Sequence, residues 1–306
     1  MQEDKPLNDI INEINAYRIK RNAVILAHYY QWPEVQDIAD FVGDSLDLSR
    51  KARDADADAI VFCGVYFMAE SAKILSPHKT VLLPVLTAGC PMADMITPED
   101  IQALRSAHPG AAVVTYVNSS AEVKAVSDIC CTSSNAVRVV RSLPEQVIIF
   151  GPDRNLGHYV SLQVPEKKFF FHDGYCPTHN QITVDDVNKA RVDHPGAAVI
   201  VHPECRPEVV EMADFVGSTA QLIRYAHESK QRELIIGTEQ GVLHPMKQQN
   251  PDKQFYLLNN RLICGNMKKC FLEDVLNALK NMEHRIELDE TVIRKASQSL
   301  TRMLAI

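Results

Sequence analysis

The chain has 306 residues, with 32 Lys or Arg and 39 Asp or Glu, so its net charge is −7 with neutral histidines. This length suits two or three units with cores of their own, and the acidic balance offers no basic field to a nucleic acid or an anionic membrane. The first residues, MQEDKPLND, are polar and the longest apolar run, AIVFCGVYFMA, is shorter than a membrane span, so we expect a cytoplasmic protein.

The chain contains three copies of one sequence pattern. The stretch AHYYQWPEVQDIADFVGDSL near the N-terminus returns as VHPECRPEVVEMADFVGST in the last third, and the weaker copy VVTYVNSSAEVKAVSDICCTSSNAVRVV lies between them. Aligning Asp40, Asp128 and Asp214 gives spacings of 88 and 86 residues without a gap. Similarity over spacings of this length predicts three whole domains.

Each copy is predicted to contain a helix, a short apolar strand, a helix, a strand, a helix and a strand. The second strands read AIVFCG, QVIIFG and ELIIG, and the third strands read KTVLLP, KKFFF and KQFYLL. Short apolar runs that alternate with amphipathic helices favour a parallel sheet covered on both faces. No G-x-G-x-x-G or G-x-x-x-x-G-K-[ST] follows a strand, so dinucleotide and P-loop sites lack support.

The predicted fold class is α/β, with three homologous three-layer αβα domains whose parallel sheets are arranged about a pseudo-threefold axis. We place the three repeat units at residues 1–90, 91–176 and 177–264. Residues 265–306 are predicted to form C-terminal helices that pack back on the first unit. The connectors CPMADMITPEDIQALRSAHPGAAVV and CPTHNQITVDDVNKARVDHPGAAVI have none of the composition of flexible linkers.

Polar residues occupy the carboxyl end of the first strand in every copy. That position holds His28, Tyr116 and His202, and the position two residues later holds Tyr30, Asn118 and Glu204. Ligands of open α/β sheets bind at the carboxyl ends of the strands, so three copies around one axis would direct these side chains to one point. The alternative for any one of them is a buried polar group with a structural partner.

Ser45, Ser133 and Thr219 each lie 17 residues after the strand-end position, where a turn leads into a helix. Ser and Thr at such a place are predicted to be N-cap residues, and a helix N-terminus offers free N–H groups to an anion. Three helix ends aimed at one point predict a site for phosphate or carboxylates. Helix capping alone is the alternative interpretation.

Three of the eight cysteines share one position in the repeat. Cys90, Cys176 and Cys264 follow the third strand of each copy, at spacings of 86 and 88 residues. The cysteines outside this register are predicted to be buried thiols: Cys63, Cys130, Cys131, Cys205 and Cys270. Three thiolates are one ligand short of a structural tetrahedral zinc site. A catalytic zinc with three protein ligands is an alternative. The three thiolates suit a [4Fe–4S] cluster whose fourth iron is free to bind substrate.

Ten motifs occur in order along the chain: LAHYYQ, DIADFVGDS, CPMAD, TYVNSS, TSSNAV, FGPDRNLG, GYCPTH, VHPEC, DFVGST and CGNMKK. In these motifs the chain resembles the quinolinate synthase family of NAD biosynthesis over essentially its full length. The resemblance implies three αβα domains and an oxygen-sensitive [4Fe–4S] cluster on Cys90, Cys176 and Cys264. It also implies condensation of iminoaspartate (iminosuccinate) with dihydroxyacetone phosphate to give quinolinate, phosphate and water.

The resemblance further implies a set of substrate-contacting residues: His28, Ser45, Tyr116, Val117, Asn118, Ser133, His202, Pro203, Glu204 and Thr219. We expect Glu204 to act as general base, with His202 and His28 orienting carboxylates or relaying protons. Tyr30 is expected to assist the isomerisation and the dehydrations. A functional link to an L-aspartate oxidase or an aspartate dehydrogenase, which would supply the imine, is also implied.

Two features depart from the family pattern. Gly89 precedes the first cluster cysteine where a small hydroxylated residue is expected, and Cys264 and Cys270 are six residues apart, so no C-x-x-C thiol switch is expected. An aconitase-like [4Fe–4S] hydro-lyase is the nearest alternative enzyme. An iron–sulfur sensor would call for a basic surface or an added binding segment, and a thiol redox protein for a C-x-x-C; the sequence has none of these.

Overall fold

The protein is described by a computed structural model, which covers residues 6–306. It contains three β-sheets of four parallel strands each, joined by helices. The strand order is the same in every sheet: the second strand of the unit lies at one edge, followed by the first, third and fourth. These sheets confirm the α/β class predicted from the sequence.

The helices and strands of the first two units follow the same order. The first unit contains α1 (Leu7–Lys20), β1 (Ala23–His28), α2 (Pro33–Asp37), β2 (Phe41–Gly43), α3 (Ser45–Asp54), β3 (Ala59–Cys63), α4 (Tyr66–Leu75) and β4 (Thr80–Leu82). The second contains a 3₁₀ turn (Ala93–Met95), α5 (Pro98–Ala107), β5 (Ala112–Tyr116), α6 (Ala121–Ala125), β6 (Ile129–Cys131), α7 (Ala136–Ser142), β7 (Val147–Gly151), α8 (Arg154–Gln163) and β8 (Lys168–Phe171).

The third unit repeats this order and is followed by the C-terminal helices. The third unit contains α9 (Pro177–Asn180), α10 (Val184–Asp193), β9 (Ala198–Val201), α11 (Pro207–Val210), β10 (Phe215–Val216), α12 (Thr219–Glu228), β11 (Glu233–Gly237), a 3₁₀ turn (Gln240–Val242), α13 (Leu243–Gln249) and β12 (Gln254–Leu257). The C-terminal segment contains a 3₁₀ turn (Met267–Lys269), α14 (Leu272–Asn281) and α15 (Glu290–Leu304).

The structure differs from the sequence prediction at the second helix of each unit. The predicted single helix is divided into a short helix, an edge strand and a longer helix, as in α2, β2 and α3. The edge strand β2 has three residues and β10 has two. A segment this short carries no readable periodicity, which is why the sequence pattern did not reveal a fourth strand.

The aspartate that aligns the three copies has one structural role in all of them. Its carboxylate accepts a hydrogen bond from the central strand: Ile25 N to Asp40 (2.8 Å), Val113 N to Asp128 (2.7 Å) and Val199 N to Asp214 (2.8 Å). Its own N–H donates to the carbonyl oxygen of the same partner residue. The aspartate therefore ties the start of the edge strand to the centre of the sheet.

The two connectors between the units also share one local structure. A capping box begins both α5 and α10. Gly110 and Gly196, which follow these helices, have φ values of 82° and 93°, a conformation that favours glycine because it has no Cβ. The connectors are therefore ordered parts of the repeat.

Alternate residues of the central strands face different cores. Leu26, Val114 and Ile200 belong to one large apolar cluster that contains residues of all three units. Their neighbours Ile25, Val113 and Val199 contribute to three separate clusters, one for each sheet. The shared cluster joins the units on one side of the sheets, since successive strand residues point to opposite faces.

The C-terminal helices contact two of the three units. Helix α14 packs on α1 and β3 of the first unit, whereas α15 packs on α6 and β6 of the second unit as well as on α4 of the first. Ser299 Oγ of α15 donates to Lys124 O at 2.9 Å, and Asn135 Nδ2 donates to Met303 O at 3.2 Å. Helix α15 therefore lies across the first and second units, beyond the predicted contact with the first unit alone.

The structure bears on two expectations from the sequence, which concern membrane-spanning segments and the burial of five thiols. In the part of the chain that the structure describes, no helix is both long and apolar enough to cross a bilayer. The cysteines outside the repeat register are free and buried, as predicted: Cys63, Cys130, Cys131, Cys205 and Cys270.

Candidate active site

A cavity of about 490 Å³ lies where the strand ends of all three units meet. It brings together most of the predicted site residues: His28, Tyr30, Ser45, Cys90, Tyr116, Asn118, Ser133, Cys176, His202, Glu204, Thr219 and Cys264. Val117 lies instead in the central core, and Pro203 is buried outside the lining. The register of the repeat therefore identifies residues that line one cavity.

Each of the three register cysteines stands at the start of a short helical turn. Backbone N–H groups two or three residues later donate to the sulfur: Met92 and Ala93 to Cys90, His179 to Cys176, and Asn266 and Met267 to Cys264. Burial raises the pKa of Cys90 to about 12, and these N–H groups oppose the rise. A thiolate buried in this cavity needs a positive charge beside it, and a metal centre would supply that charge.

Two histidines at equivalent strand ends have the same tautomer. Tyr30 N donates to Nδ1 of His28 at 3.1 Å, and Glu204 N donates to Nδ1 of His202 at 3.3 Å. Burial is the main cause that lowers the pKa of each imidazole to about 3, so both are neutral at physiological pH. The ring proton is therefore on Nε2, and in His202 this atom lies 3.2 Å from Ser133 Oγ.

Glu204 is a buried carboxylate with hydrogen-bond donors around it. Its Oε2 lies 2.7 Å from Nδ1 of His179, and the Tyr116 hydroxyl donates to the same carboxylate. Burial opposes the charge, whereas the hydrogen bonds from His179 and Tyr116 favour it, and the balance lowers the pKa of Glu204. Glu204 is therefore ionised at neutral pH.

A chain of hydrogen bonds leads from Glu204 to the phenol of Tyr30. Nε2 of His179 lies 2.9 Å from Thr238 Oγ1, which lies 2.7 Å from the Tyr30 hydroxyl. That hydroxyl is also 3.0 Å from Thr219 Oγ1. A carboxylate only accepts, so His179 carries its proton on Nδ1 and accepts at Nε2 from Thr238, which leaves Thr238 to accept from Tyr30. The chain is oriented to carry a proton from Tyr30 toward Glu204.

The helix ends predicted at the cavity are present, but their caps are other residues than expected. Ser45 and Thr219 are the first helical residues, because Asp44 and Ser218 occupy the N-cap positions of α3 and α12. Ser133 lies in the turn before α7. The N-cap prediction for these three residues was wrong, although all of them line the cavity.

The three helix ends are joined by hydrogen bonds. Ser134 Oγ donates to the Asp44 carboxylate and lies 2.8 Å from Ser218 Oγ. Asp44 also accepts from the N–H groups of Leu46 and Asp47 at 3.1 Å each. These contacts fix the three helices relative to one another beside the cavity.

Comparison with known proteins places this chain in a family. Residues 12–305 match the family described as Quinolinate synthetase A protein. The chain belongs to this family. It is 57% identical over 297 residues to quinolinate synthase of Clostridium kluyveri, covering 97% of this chain and 98% of that protein. It is 55% identical over 293 residues to quinolinate synthase of Caldicellulosiruptor bescii, covering 96% and 97% of the two chains. It is 51% identical over 300 residues to quinolinate synthase of Thermodesulfovibrio yellowstonii, covering 98% and 99%.

Two residues of the hydrogen-bonded chain, His179 and Thr238, were not predicted from the sequence. His179 follows Cys176 by three residues in the GYCPTH motif, and the same step from Cys90 and Cys264 leads to Ala93 and Met267. A search for positions that are polar in every copy therefore passes over His179. The motif itself was the available signal. Other lining residues outside the predictions include Asp44, Phe67, Thr132, Asn266 and Lys269.

Three donor groups that line the cavity are close enough to be considered as ligands of a single metal ion. One donor atom each of Cys176, His179 and Glu204 lies within 4.8 Å of the others. Nδ1 of His179 is 2.7 Å from Glu204 Oε2 and 3.2 Å from Cys176 Sγ. Two ligand atoms of a tetrahedral ion at about 2.0 Å would be about 3.3 Å apart, so the shorter contact is that of a hydrogen bond. One proton on Nδ1, shared between the two acceptors, accounts for both contacts.

Proposed function

We propose that this protein is a quinolinate synthase, which condenses iminoaspartate (iminosuccinate) with dihydroxyacetone phosphate to give quinolinate, phosphate and water in the NAD biosynthesis of the cytoplasm. The observation that carries the proposal is the convergence of Cys90, Cys176 and Cys264, one from each unit, on a cavity that also contains Tyr30 and Glu204. Membership of the quinolinate synthetase A family supports the same activity.

The cysteine set fits a [4Fe–4S] cluster. Three thiols come from equivalent positions, all line one cavity, and each sulfur accepts backbone N–H hydrogen bonds that favour its thiolate. Hydrogen bonds to the ligand sulfurs are one of the means by which proteins tune iron–sulfur centres. Held by Cys90, Cys176 and Cys264, the cluster would supply a Lewis-acidic iron with an open position.

The polar groups of the cavity suit substrates that carry carboxylates and a phosphate. His28 and His202 keep their ring proton on Nε2 and so offer neutral N–H donors. Ser45, Ser133 and Thr219 add hydroxyl groups beside three helix N-termini. Such donors hold an anion by hydrogen bonds and helix dipoles, which is consistent with an acidic protein that binds anionic substrates.

The hydrogen-bonded chain gives Tyr30 a route for its proton. Burial raises the pKa of Tyr30 well above its usual range, so the phenol is neutral at rest. As the Tyr30 proton passes to Thr238, the Thr238 proton passes to Nε2 of His179. The phenolate can then accept a proton from the substrate in the isomerisation and dehydration steps.

The charge that appears on His179 is stabilised by Glu204. The Glu204 carboxylate lies 2.7 Å from His179 Nδ1 and is already ionised. A carboxylate with a low pKa is a weak base, but its negative charge stabilises a neighbouring imidazolium. We therefore propose Glu204 as the residue that orients and stabilises His179, in place of the direct general-base role expected from the sequence.

The test is anaerobic purification followed by iron and sulfide analysis, a visible spectrum and a quinolinate assay. Wild-type protein should bind a [4Fe–4S] cluster and form quinolinate only when both the imine and the triose phosphate are present. Cys90→Ala should lose the cluster and the activity together. Dehydration of a hydroxy acid in the absence of triose phosphate would point to an aconitase-like hydro-lyase instead. Full activity of Cys90→Ala would contradict the proposal.

We also propose that the units end at residues 90, 176 and 264, as the cysteine register indicates. Limited proteolysis would test these limits.

We further propose a functional link to an L-aspartate oxidase or an aspartate dehydrogenase, because an imine hydrolyses in water and has to be used as it is formed. Coupled assays should then give more quinolinate per imine formed than separate incubation of the two enzymes.

A further inference from the structure

A buried carboxylate holds the cysteine loop in the second unit and again in the third. Asp153 Oδ2 accepts a hydrogen bond from Cys176 N at 3.2 Å, and Glu239 Oε1 accepts one from Cys264 N at 3.2 Å. Both carboxylates are 0% exposed. Because water does not compete at these sites, the two bonds fix the backbone from which each cysteine side chain extends.

Asp153 and Glu239 occupy the same position in their units. In both cases the next residue donates its N–H to the carbonyl oxygen two residues before the cysteine, at 2.9 Å: Arg154 N to Gly174 O and Gln240 N to Leu262 O. The position is thus defined by backbone geometry and does not depend on sequence similarity. Two units of the repeat place an acidic residue there.

Each of these carboxylates also caps a helical turn with its second oxygen. Asp153 Oδ1 accepts from Leu156 N at 2.9 Å, and Glu239 Oε2 accepts from Gly241 N at 2.6 Å. In Asp153 one oxygen therefore serves the helix and the other serves the cysteine loop, whereas Glu239 also pairs with Lys268, whose Nζ lies 3.2 Å from Oε1. This division allows a substitution to remove one role and keep the other.

The first unit lacks this contact. Tyr66 N donates to Ala88 O at 2.8 Å, two residues before Cys90, so Val65 occupies the position of the carboxylates. Val65 is apolar, and within residues 6–306 the N–H of Cys90 has no hydrogen-bond acceptor. Gly89 beside Cys90 and Gly265 beside Cys264 both border open space, so the difference between the loops rests on the missing carboxylate. The Cys90 loop is therefore the least restrained of the three.

We propose that Asp153 and Glu239 are positioning residues, which hold Cys176 and Cys264 ready to bind the cluster while the Cys90 loop adjusts to it. The role in cluster binding rests on the proposed function. The difference in restraint between the loops is a property of the protein without metal and is testable separately. Groups that orient metal ligands in this way typically change metal affinity or activity by about 10–100-fold when they are removed.

The first experiment measures hydrogen exchange of the three cysteine amides in metal-free protein, by mass spectrometry with fragmentation to single residues. The Cys176 and Cys264 amides should exchange slowly, and the Cys90 amide should exchange faster. Asp153→Ser should accelerate exchange at Cys176 and leave Cys264 unchanged. Equal protection of all three amides in the wild type would overturn the inference whether or not the protein binds a cluster.

The second experiment follows iron loss from the anaerobic holoprotein to a ferrous chelator. Asp153→Ser keeps one oxygen for the helix cap, because Ser is a favoured N-cap residue, but has none for Cys176 N. Asp289→Ser is the matched control, since Asp289 caps α15 through Thr291 N and Val292 N. Asp153→Ser should lose iron about 10-fold faster than wild type, while the amides of α8 in the metal-free protein exchange as slowly as in the wild type.

Two results would overturn the role in cluster binding. The first is iron loss from Asp153→Ser at the wild-type rate. The second is faster loss together with accelerated amide exchange throughout α8, which would assign Asp153 to the stability of α8. A wild-type protein that purifies anaerobically without any cluster would contradict the proposed function, and the exchange experiment on metal-free protein would still decide the restraint of the loops.

Discussion

Nδ1 of His179 lies 2.7 Å from Oε2 of Glu204, and both side chains are almost completely buried. The two residues belong to the third unit, yet the hydrogen bonds continue through Thr238 to Tyr30 of the first unit. In the proposed mechanism, acid–base chemistry at Tyr30 therefore depends on how the first and third units are held together. This relationship leads to the first two predictions.

Replacing His179 should stop proton transfer from Tyr30. In His179→Gln we expect turnover to fall by about 10²- to 10⁴-fold, the usual contribution of a general base, while the cluster spectrum is retained. The measurement is kcat for quinolinate formation beside the visible spectrum. His194→Gln is a suitable control, because His194 stacks on Tyr256 and lies outside the cavity. Turnover near that of the wild type would remove His179 from the mechanism.

The hydroxyl group of Thr238 should be required for turnover, whereas its methyl group should not be. Thr238→Val keeps the volume and removes the hydrogen bonds to His179 Nε2 and Tyr30, so the free energy of unfolding should fall by about 1–3 kcal/mol and turnover should drop sharply. Thr238→Ser restores the hydroxyl and should recover most of the turnover. Denaturant unfolding and kcat measure the two effects. Equal turnover of the Ser and Val variants would exclude a relay through this oxygen.

Stability should fall as the pH decreases below about 6.5. The pKa of His28 and of His202 is lowered from 6.5 to about 3, mainly by burial, so the unfolded chain binds protons in this window that the folded chain does not. The contribution of these two histidines to the free energy of unfolding is therefore fully present above about pH 6.5. It is lost as the pH falls toward 3, by up to about 1.4 kcal/mol per pH unit for each histidine.

Urea unfolding of the metal-free protein between pH 7 and pH 5 measures this slope. His28→Asn removes one of the two groups and should give a shallower dependence than the wild type. An unchanged slope in this variant would show that His28 titrates normally in the folded state.

The aspartate shared by the three sheets should be important for stability in each. Asp128→Ala removes the acceptor of Val113 N and the ion pair with Arg105, so we expect the free energy of unfolding to fall by about 1–3 kcal/mol. Asp128→Asn keeps an acceptor oxygen and should lose less. Denaturant unfolding of the two variants separates the hydrogen bond from the charge. If Ala and Asn are equally destabilising, the backbone hydrogen bond is not the main contribution.

A side chain at Gly89 should be tolerated. A Cβ at this position meets no atom within 4 Å, so Gly89→Ser should keep the thermal midpoint and the iron content of the wild type. Gly241→Ser is the contrasting variant, because its Cβ would lie 2.4 Å from Tyr29 O and 2.8 Å from Tyr30 Cα. That variant should lose stability and displace Tyr30. A destabilised Gly89→Ser would show that the Cys90 loop needs the flexibility of glycine.

The fold could be predicted because the repeat is long and its apolar runs are regular. Aligning Asp40, Asp128 and Asp214 identified a position that has the same hydrogen bonds in all three sheets. The edge strands were missed, since two or three residues show no periodicity. The path of α15 was also missed, because the packing of a terminal helix depends on surfaces that are far away in the sequence.

The site could be predicted where the three copies agree and not where they differ. The cysteine register and the strand-end residues share one cavity, as expected from equivalent positions. His179 and Thr238 were missed because the repeat has no polar counterpart for His179, and Thr238 lies behind the lining. The N-caps were assigned one residue too late at Ser45 and Thr219, where the preceding Asp44 and Ser218 also have side chains that can cap.

The path of α15 across the first two units has a consequence for biosynthesis. Cys264 leaves the ribosome last of the three thiols, and the helices that contact the first and second units follow it. Cys90 and Cys176 are therefore synthesised before Cys264. Because α15 contacts both units, a chain cut before Glu290 would lose one of the elements that join the first unit to the second.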